Sequence, residues 1–177
     1  NIAFAVVEGR NFDGTWFPIG WVMRDMQVIV GVCDNRPPVI AELLDICVEA
    51  GTTLNFTVNA TDPDPGQVIS LFGIGGPFEE ASSPATFGAA PGPSPVSGSF
   101  QWATNCTHVQ QQPYLAIFKA QDNWQPVQLV DYASMFITVV APAPLNPTAT
   151  PDGSIMRLAW EPDVCTNATG YRIYRRQ

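Results

Sequence analysis

The chain has 177 residues, 46% of them apolar and only 14% charged, so it can bury a core and does not read as disordered. Eight basic residues against sixteen acidic ones give a formal charge of -8, the wrong sign for gripping a phosphate backbone, which argues against nucleic acid as a partner. No apolar run approaches the roughly 20 residues that span a bilayer, so the chain is not expected to be membrane-spanning. Seventeen prolines and fourteen glycines, set among valines, threonines and aromatics, favour short strands and tight turns, hence an all-β class.

The opening residues, NIAFAVVEGR, read as a strand rather than a signal peptide, and the chain is expected to begin inside a longer protein. FAVVEGRNFDG at Phe4 and YLAIFKAQDNW at Tyr114 stand 110 residues apart, as do MQVIVGV at Met26 and FITVVAP at Phe136, and Pro37 and Pro147 keep the same offset. One β-sandwich has about that length. Residues 1–36 are therefore expected to be the closing strands of one sandwich and residues 37–141 a complete one. Within the latter, PPVIAELLDICV is predicted as a first strand, EAGTT as a turn, and LNFTVNA as a second strand that buries one face. VISLFGI, GSFQWAT with Phe100 and Trp102 inward, YLAIFKA and MFITVVA supply the remaining strands. FEEASSPATFGAAPGPSPVSG is predicted as irregular edge structure.

Residues 142–177 read PLNPTATPDGSIMRLAWEPDVCTNATGYRIYRRQ from Pro144 onward. They resemble the start of a fibronectin type III domain, with Leu158 and Trp160 on one strand and Tyr171, Ile173 and Tyr174 on the next. The linker VCDNRPPVI, the loop ATDPDPGQ and the loop KAQDN together resemble a cadherin-type repeat. In that family a D-N-x-P linker, a D-x-D loop and an A-x-D loop meet at one pole and hold calcium between neighbours. The resemblance implies Asp34, Asn35, Asp62, Asp64 and Asp122 as calcium ligands, with Gln67 and Asn123 as further oxygen donors nearby. Calcium takes six to eight hard oxygens, which three carboxylates, an amide and backbone carbonyls can supply. The second reading of Asp-Pro-Asp-Pro is a turn whose aspartates cap backbone amides. Gly98, Phe100, Trp102, Tyr114, Ala120 and Asp122 fit a wider immunoglobulin-like and cadherin-like pattern. With RDMQVIV, CVEAGTTL and YRIYRR, the chain resembles the large surface proteins that Bacteroidota export by the type IX system, which implies adhesion, filaments or gliding.

Four cysteines, Cys33, Cys47, Cys106 and Cys165, form no C-x-x-C pair, so disulfides in an oxidising compartment fit better than zinc. Strand topology puts Cys47 and Cys106 at the same pole and predicts that they pair, leaving Cys33 and Cys165 to their own domains. Asn-x-Thr triplets begin at Asn55, Asn59, Asn105 and Asn167, a permissive motif for glycan attachment.

An enzyme is not expected. His108 is the only histidine and reads as a surface-loop residue with no nucleophile-elbow motif to serve. Glu79 and Glu80, being adjacent on an extended segment, point to opposite faces and cannot flank one glycosidic bond. The sequence thus points to a structural or adhesive repeat segment of a secreted cell-surface or filament protein. It would be a stiff spacer rigidified by calcium, with neighbouring repeats of the same protein as partners and self-assembly by strand addition open to it. Two alternatives stand beside it: a module binding a surface glycan or receptor through aromatics such as Trp16 and Trp124, or a non-catalytic part of a secreted hydrolase.

Overall fold

The computed structural model describes residues 2–27, 34–166, 170–171 and 173–174. Contacts divide the chain into two units, Asn1–Asp34 and Asn35–Gln177. In the first, β1 (Ile2–Phe12) and β2 (Thr15–Met26) form an antiparallel hairpin. Asp13 and Gly14 both adopt positive φ, as a two-residue hairpin turn demands, and the Gly14 N–H donates to Asn11 Oδ1 at 2.9 Å. A Cβ on Gly9 would lie 2.0 Å from the Trp16 ring, so any larger residue would displace that indole.

The strand predicted from Phe4 is present, but this hairpin is not a copy of the one 110 residues on. Phe4 faces Arg24, whereas Tyr114 faces Ile137, whose counterpart at that offset is Gln27. The tight turn at Asp13–Gly14 sets this register, while a loop over residues 122–129 sets the other. MQVIVGV lies outside the described residues from Val28 onward.

The second unit is built on a sandwich of two sheets. One sheet runs β3 (Val39–Ile40), β5 (Thr53–Thr61), β9 (Val96–Ala103), β7 (Thr86–Gly88). The other runs β4 (Ile46–Glu49), β11 (Val130–Val140), β10 (Tyr114–Gln121), β6 (Val68–Gly75), β8 (Gly92–Pro93). The period-two pattern does the sorting: Val96, Gly98, Phe100 and Trp102 turn inward from β9, and Tyr114, Ala116, Phe118 and Ala120 from β10. Phe56, Phe78 and Phe87 close around Phe100 and Phe118, with ring centroids 4.5–6.5 Å apart.

PPVIAELLDICV, predicted as one strand, is divided. β3 pairs with β5 in one sheet, then the chain crosses and β4 runs parallel to β11 in the other. The Asp45 carboxylate accepts the Phe136 N–H at 2.8 Å at the crossing, holding the segment off the ladder before β4 begins. The Gly/Pro/Ser-rich stretch contains a helical turn (Gly76–Glu79), β7 and β8, and its Ser83 carbonyl accepts the Trp102 indole N–H at 3.0 Å. It lies at the sheet edges, as predicted, but it is partly regular and it roofs the core.

Beyond the sandwich, β12 (Leu145–Asp152) and β13 (Ile155–Glu161) form a second hairpin. Leu158 and Trp160 lie on β13 as predicted, and Trp160 is half-buried against Tyr171. Tyr171, Ile173 and Tyr174 are not in a strand. No helix among the described residues is long and apolar enough to cross a membrane.

Candidate functional site

Strand direction fixes two poles. β5 ends and β10 ends beside the point where the chain enters at Asn35–Pro38, so the loops 62–67 and 122–129 gather there. β11 then carries the chain to the far pole, where the Ala50 N–H donates to the Val140 carbonyl at 2.8 Å and the Gly51 N–H to the Thr104 carbonyl at 3.0 Å.

At the entry pole Asn35, Asp62, Gln67 and Asp122 are buried polar residues. The Asn35 amide donates to Asp122 Oδ2 at 2.7 Å and its Oδ1 accepts from Gln67 Nε2 at 2.6 Å. Asp122 Oδ1 accepts the N–H groups of Trp124 and Leu129 at 3.1 and 3.0 Å. Asp62 Oδ1 accepts the Asp64 N–H at 2.8 Å, a local turn, while the Asp62 N–H donates to Ser94 Oγ at 2.9 Å. Asn123 Oδ1 accepts the Val68 N–H at 2.9 Å and starts β6.

Asp64 is taken by Arg36. The Arg36 backbone N–H donates to Asp64 Oδ2 at 2.7 Å, and its Nε and Nη2 donate to Oδ1 at 2.9 and 2.6 Å. Nη2 also reaches the Pro63 carbonyl at 2.9 Å. These hydrogen bonds, the backbone one foremost, hold the Asp64 carboxyl below its ordinary 3.8.

Of the predicted calcium ligands, Asn35, Asp62, Asp64 and Asp122 thus come to one pole, whereas Asp34 is an exposed residue of the other unit. Their oxygens are largely committed to donors. Two buried side-chain oxygens, Asp62 Oδ2 and Gln67 Oε1, have no protein donor, while calcium requires six to eight ligands. The side-chain hydrogen bonds as they stand do not leave a calcium shell. Among the described residues no cluster of three or more His, Cys, Asp or Glu has metal-binding geometry. Arg36 and Ser94 were not among the predicted residues; a basic residue at the variable position of the D-N-x-P linker was the available signal.

At the exit pole the predicted bridge is corrected. Cys106 pairs with Cys165, 5.1 Å apart at Cα, and Cys47 is an exposed free thiol. Cys47 sits on edge strand β4 and points away, because the crossing between β3 and β4 resets which face each residue occupies. Cys33 lies outside the described residues. Asn105 caps the helical turn Cys106–His108: its Oδ1 accepts the Thr107 N–H at 2.9 Å, and its own N–H donates to His108 Nδ1 at 3.0 Å. Nδ1 is therefore the acceptor, and Nε2 donates to the Ser82 carbonyl at 2.6 Å. His108, expected on the surface, is fully buried against Trp102, 4.9 Å between ring centroids. Beside the disulfide a groove of about 690 Å³ opens between Gln110, Gln111, Pro142, Trp160, Asp163 and Tyr171.

No family model matches the chain, and no curated protein does. Solved structures do. The sialic-acid-binding region of a Streptococcus sanguinis SK1 adhesin bound to 3'sLn is 17% identical with a TM-score of 0.44, over 67% of this chain and 34% of that one. The SrpA adhesin of Streptococcus sanguinis is 20% identical with a TM-score of 0.44, over 68% and 67%. Zebrafish RET cadherin-like domains 1 to 4 are 14% identical with a TM-score of 0.32, over 81% and 34%. The chain spans about a third of the first and third of these proteins. Likenesses this distant do not carry an activity from one chain to another.

Proposed function

We propose that the chain is a stiff, non-catalytic spacer segment of a secreted cell-surface protein. One observation carries this reading. The backbone enters the sandwich at one pole and leaves at the other, and both connections are tied to it: Asn35 and Arg36 by side-chain hydrogen bonds at entry, and the segment past Pro144 by the Cys106–Cys165 bridge at exit. End-to-end passage with pinned connections extends a chain; entry and exit at one pole would fold it back. A disulfide belongs to an oxidising, extracellular compartment. The single histidine is buried with both ring nitrogens engaged, which supports a role without chemistry. Neighbouring segments of the same protein are the partners that such a design requires, and the resemblance to exported Bacteroidota surface proteins agrees with it.

Limited proteolysis of the full chain, followed by mass spectrometry, tests this. The segment Ala141–Leu145 is expected to resist cleavage in the oxidised protein and to become susceptible on reduction. Cleavage there at equal rates in both states would overturn the spacer reading.

A glycan-binding role is the second reading, favoured by the groove at the exit pole. It offers an aromatic wall in Trp160 and Tyr171, packed 5.5 Å apart, beside the amides of Gln110 and Gln111 and the Asp163 carboxylate. Rings stack on sugars while amides and carboxylates meet hydroxyls. Glycan-array binding lost in Trp160→Ala would support it, and binding lost in Trp124→Ala instead would move the site to the entry pole.

A further inference from the structure

We propose that the guanidinium of Arg36 is the resident cation of the entry pole, performing the charge compensation and cross-linking that the resemblance assigns to calcium. Arg36 occupies the variable position of the D-N-x-P linker, which places its stem beside the D-x-D loop. From there one residue closes four hydrogen bonds onto Pro63 and Asp64, three of them to the Asp64 carboxylate. Nε and Nη2 converge on Oδ1 while the backbone N–H takes Oδ2, a spread of donors that a single point charge does not offer.

Asp122 does not depend on a metal for its partners. Asp122 is satisfied by the Asn35 amide and the N–H groups of Trp124 and Leu129. A calcium ion sharing Asp64 would have to compete with the Arg36 pair, and among the described residues the buried side-chain oxygens without a protein donor are Asp62 Oδ2 and Gln67 Oε1. Calcium requires six to eight oxygens, and the side-chain oxygens of Asp64 and Asp122 are already engaged by N–H donors. The linker is thereby clamped to the sandwich by the chain's own charge, and the clamp weakens with salt instead of with chelator, since the Arg36 side chain is 62% exposed.

This inference rests on the spacer reading only for the purpose of the clamp, and its test is separate from that reading's proteolysis test. The experiment is thermal unfolding of the full chain in millimolar calcium chloride and in chelator, for the parent protein, Arg36→Ala, Asp64→Asn, the double variant and Arg36→Lys. The parent Tm is expected to be the same in both buffers. Arg36→Ala and Asp64→Asn should each lower Tm by about 2–4 °C, the double variant by no more than either, and Arg36→Lys should recover part of the loss. A parent Tm that rises in calcium and loses the rise in Asp62→Ala would overturn the inference, as would two single effects that simply add.

Discussion

The Cys106–Cys165 bridge makes a sharp prediction because a different pairing was legible in the sequence. Replacing Cys165 with serine opens a loop with a sequence separation of 59, which in the chain-entropy model costs about 4 kcal/mol. For a unit the size of Asn35–Gln177, each kcal/mol moves Tm by roughly 2–4 °C, so the midpoint should fall by about 8–16 °C. Cys47→Ser removes an exposed thiol and should change stability by less than about 0.5 kcal/mol. Calorimetry of the two variants, paired with peptide mapping under non-reducing conditions, reads both halves. A peptide joining Cys47 to Cys106, or a Cys47→Ser variant as unstable as Cys165→Ser, would refute the reasoning.

Gly75 has φ of 115°, and a Cβ there would stand 2.3 Å from the Leu115 carbonyl oxygen of the neighbouring strand, so Gly75→Ala should cost about 2 kcal/mol or more in chemical denaturation. Burial, with smaller contributions from the charge of Glu80 and its hydrogen bond, pushes the Tyr114 phenol up to about 12. A folded pKa above the unfolded value contributes stability that is full below pH 10 and lost as pH rises towards 12. Tyr114→Phe should therefore resist alkaline unfolding better than the parent, with one late-titrating phenolate gone from the ultraviolet absorbance. Asp64 has the opposite sign: its carboxyl is held below 3.8, so its contribution is present above that pH and lost as pH falls through the lowered value. Arg36→Ala should flatten the acid limb of stability against pH; an unchanged limb would mean that the pair does not form in solution.

The strands of the sandwich were legible because alternation is a property of neighbours in sequence. Phe100 and Trp102 announce an inward face two residues at a time, and Asp-Pro-Asp-Pro and Asp-Asn announce loops, whatever lies across from them. Residues near Asp62 and Asp122 could thus be assigned to one pole from strand count alone. What the sequence left undetermined was each decision between segments far apart in the chain. Splitting PPVIAELLDICV between two sheets follows from which neighbours remain open to β3 and β4, and that split turns Cys47 outward and leaves Cys106 to Cys165. His108 looks like any loop histidine until Ser82, Asn105 and Trp102 surround it. The same holds for the entry pole, where a ligand set and a hydrogen-bonded turn share one sequence. Tertiary structure adds what neither pattern announces, Arg36 on Asp64, because the pairing of β3 with β5 carries the linker back onto a loop 28 residues further along the chain.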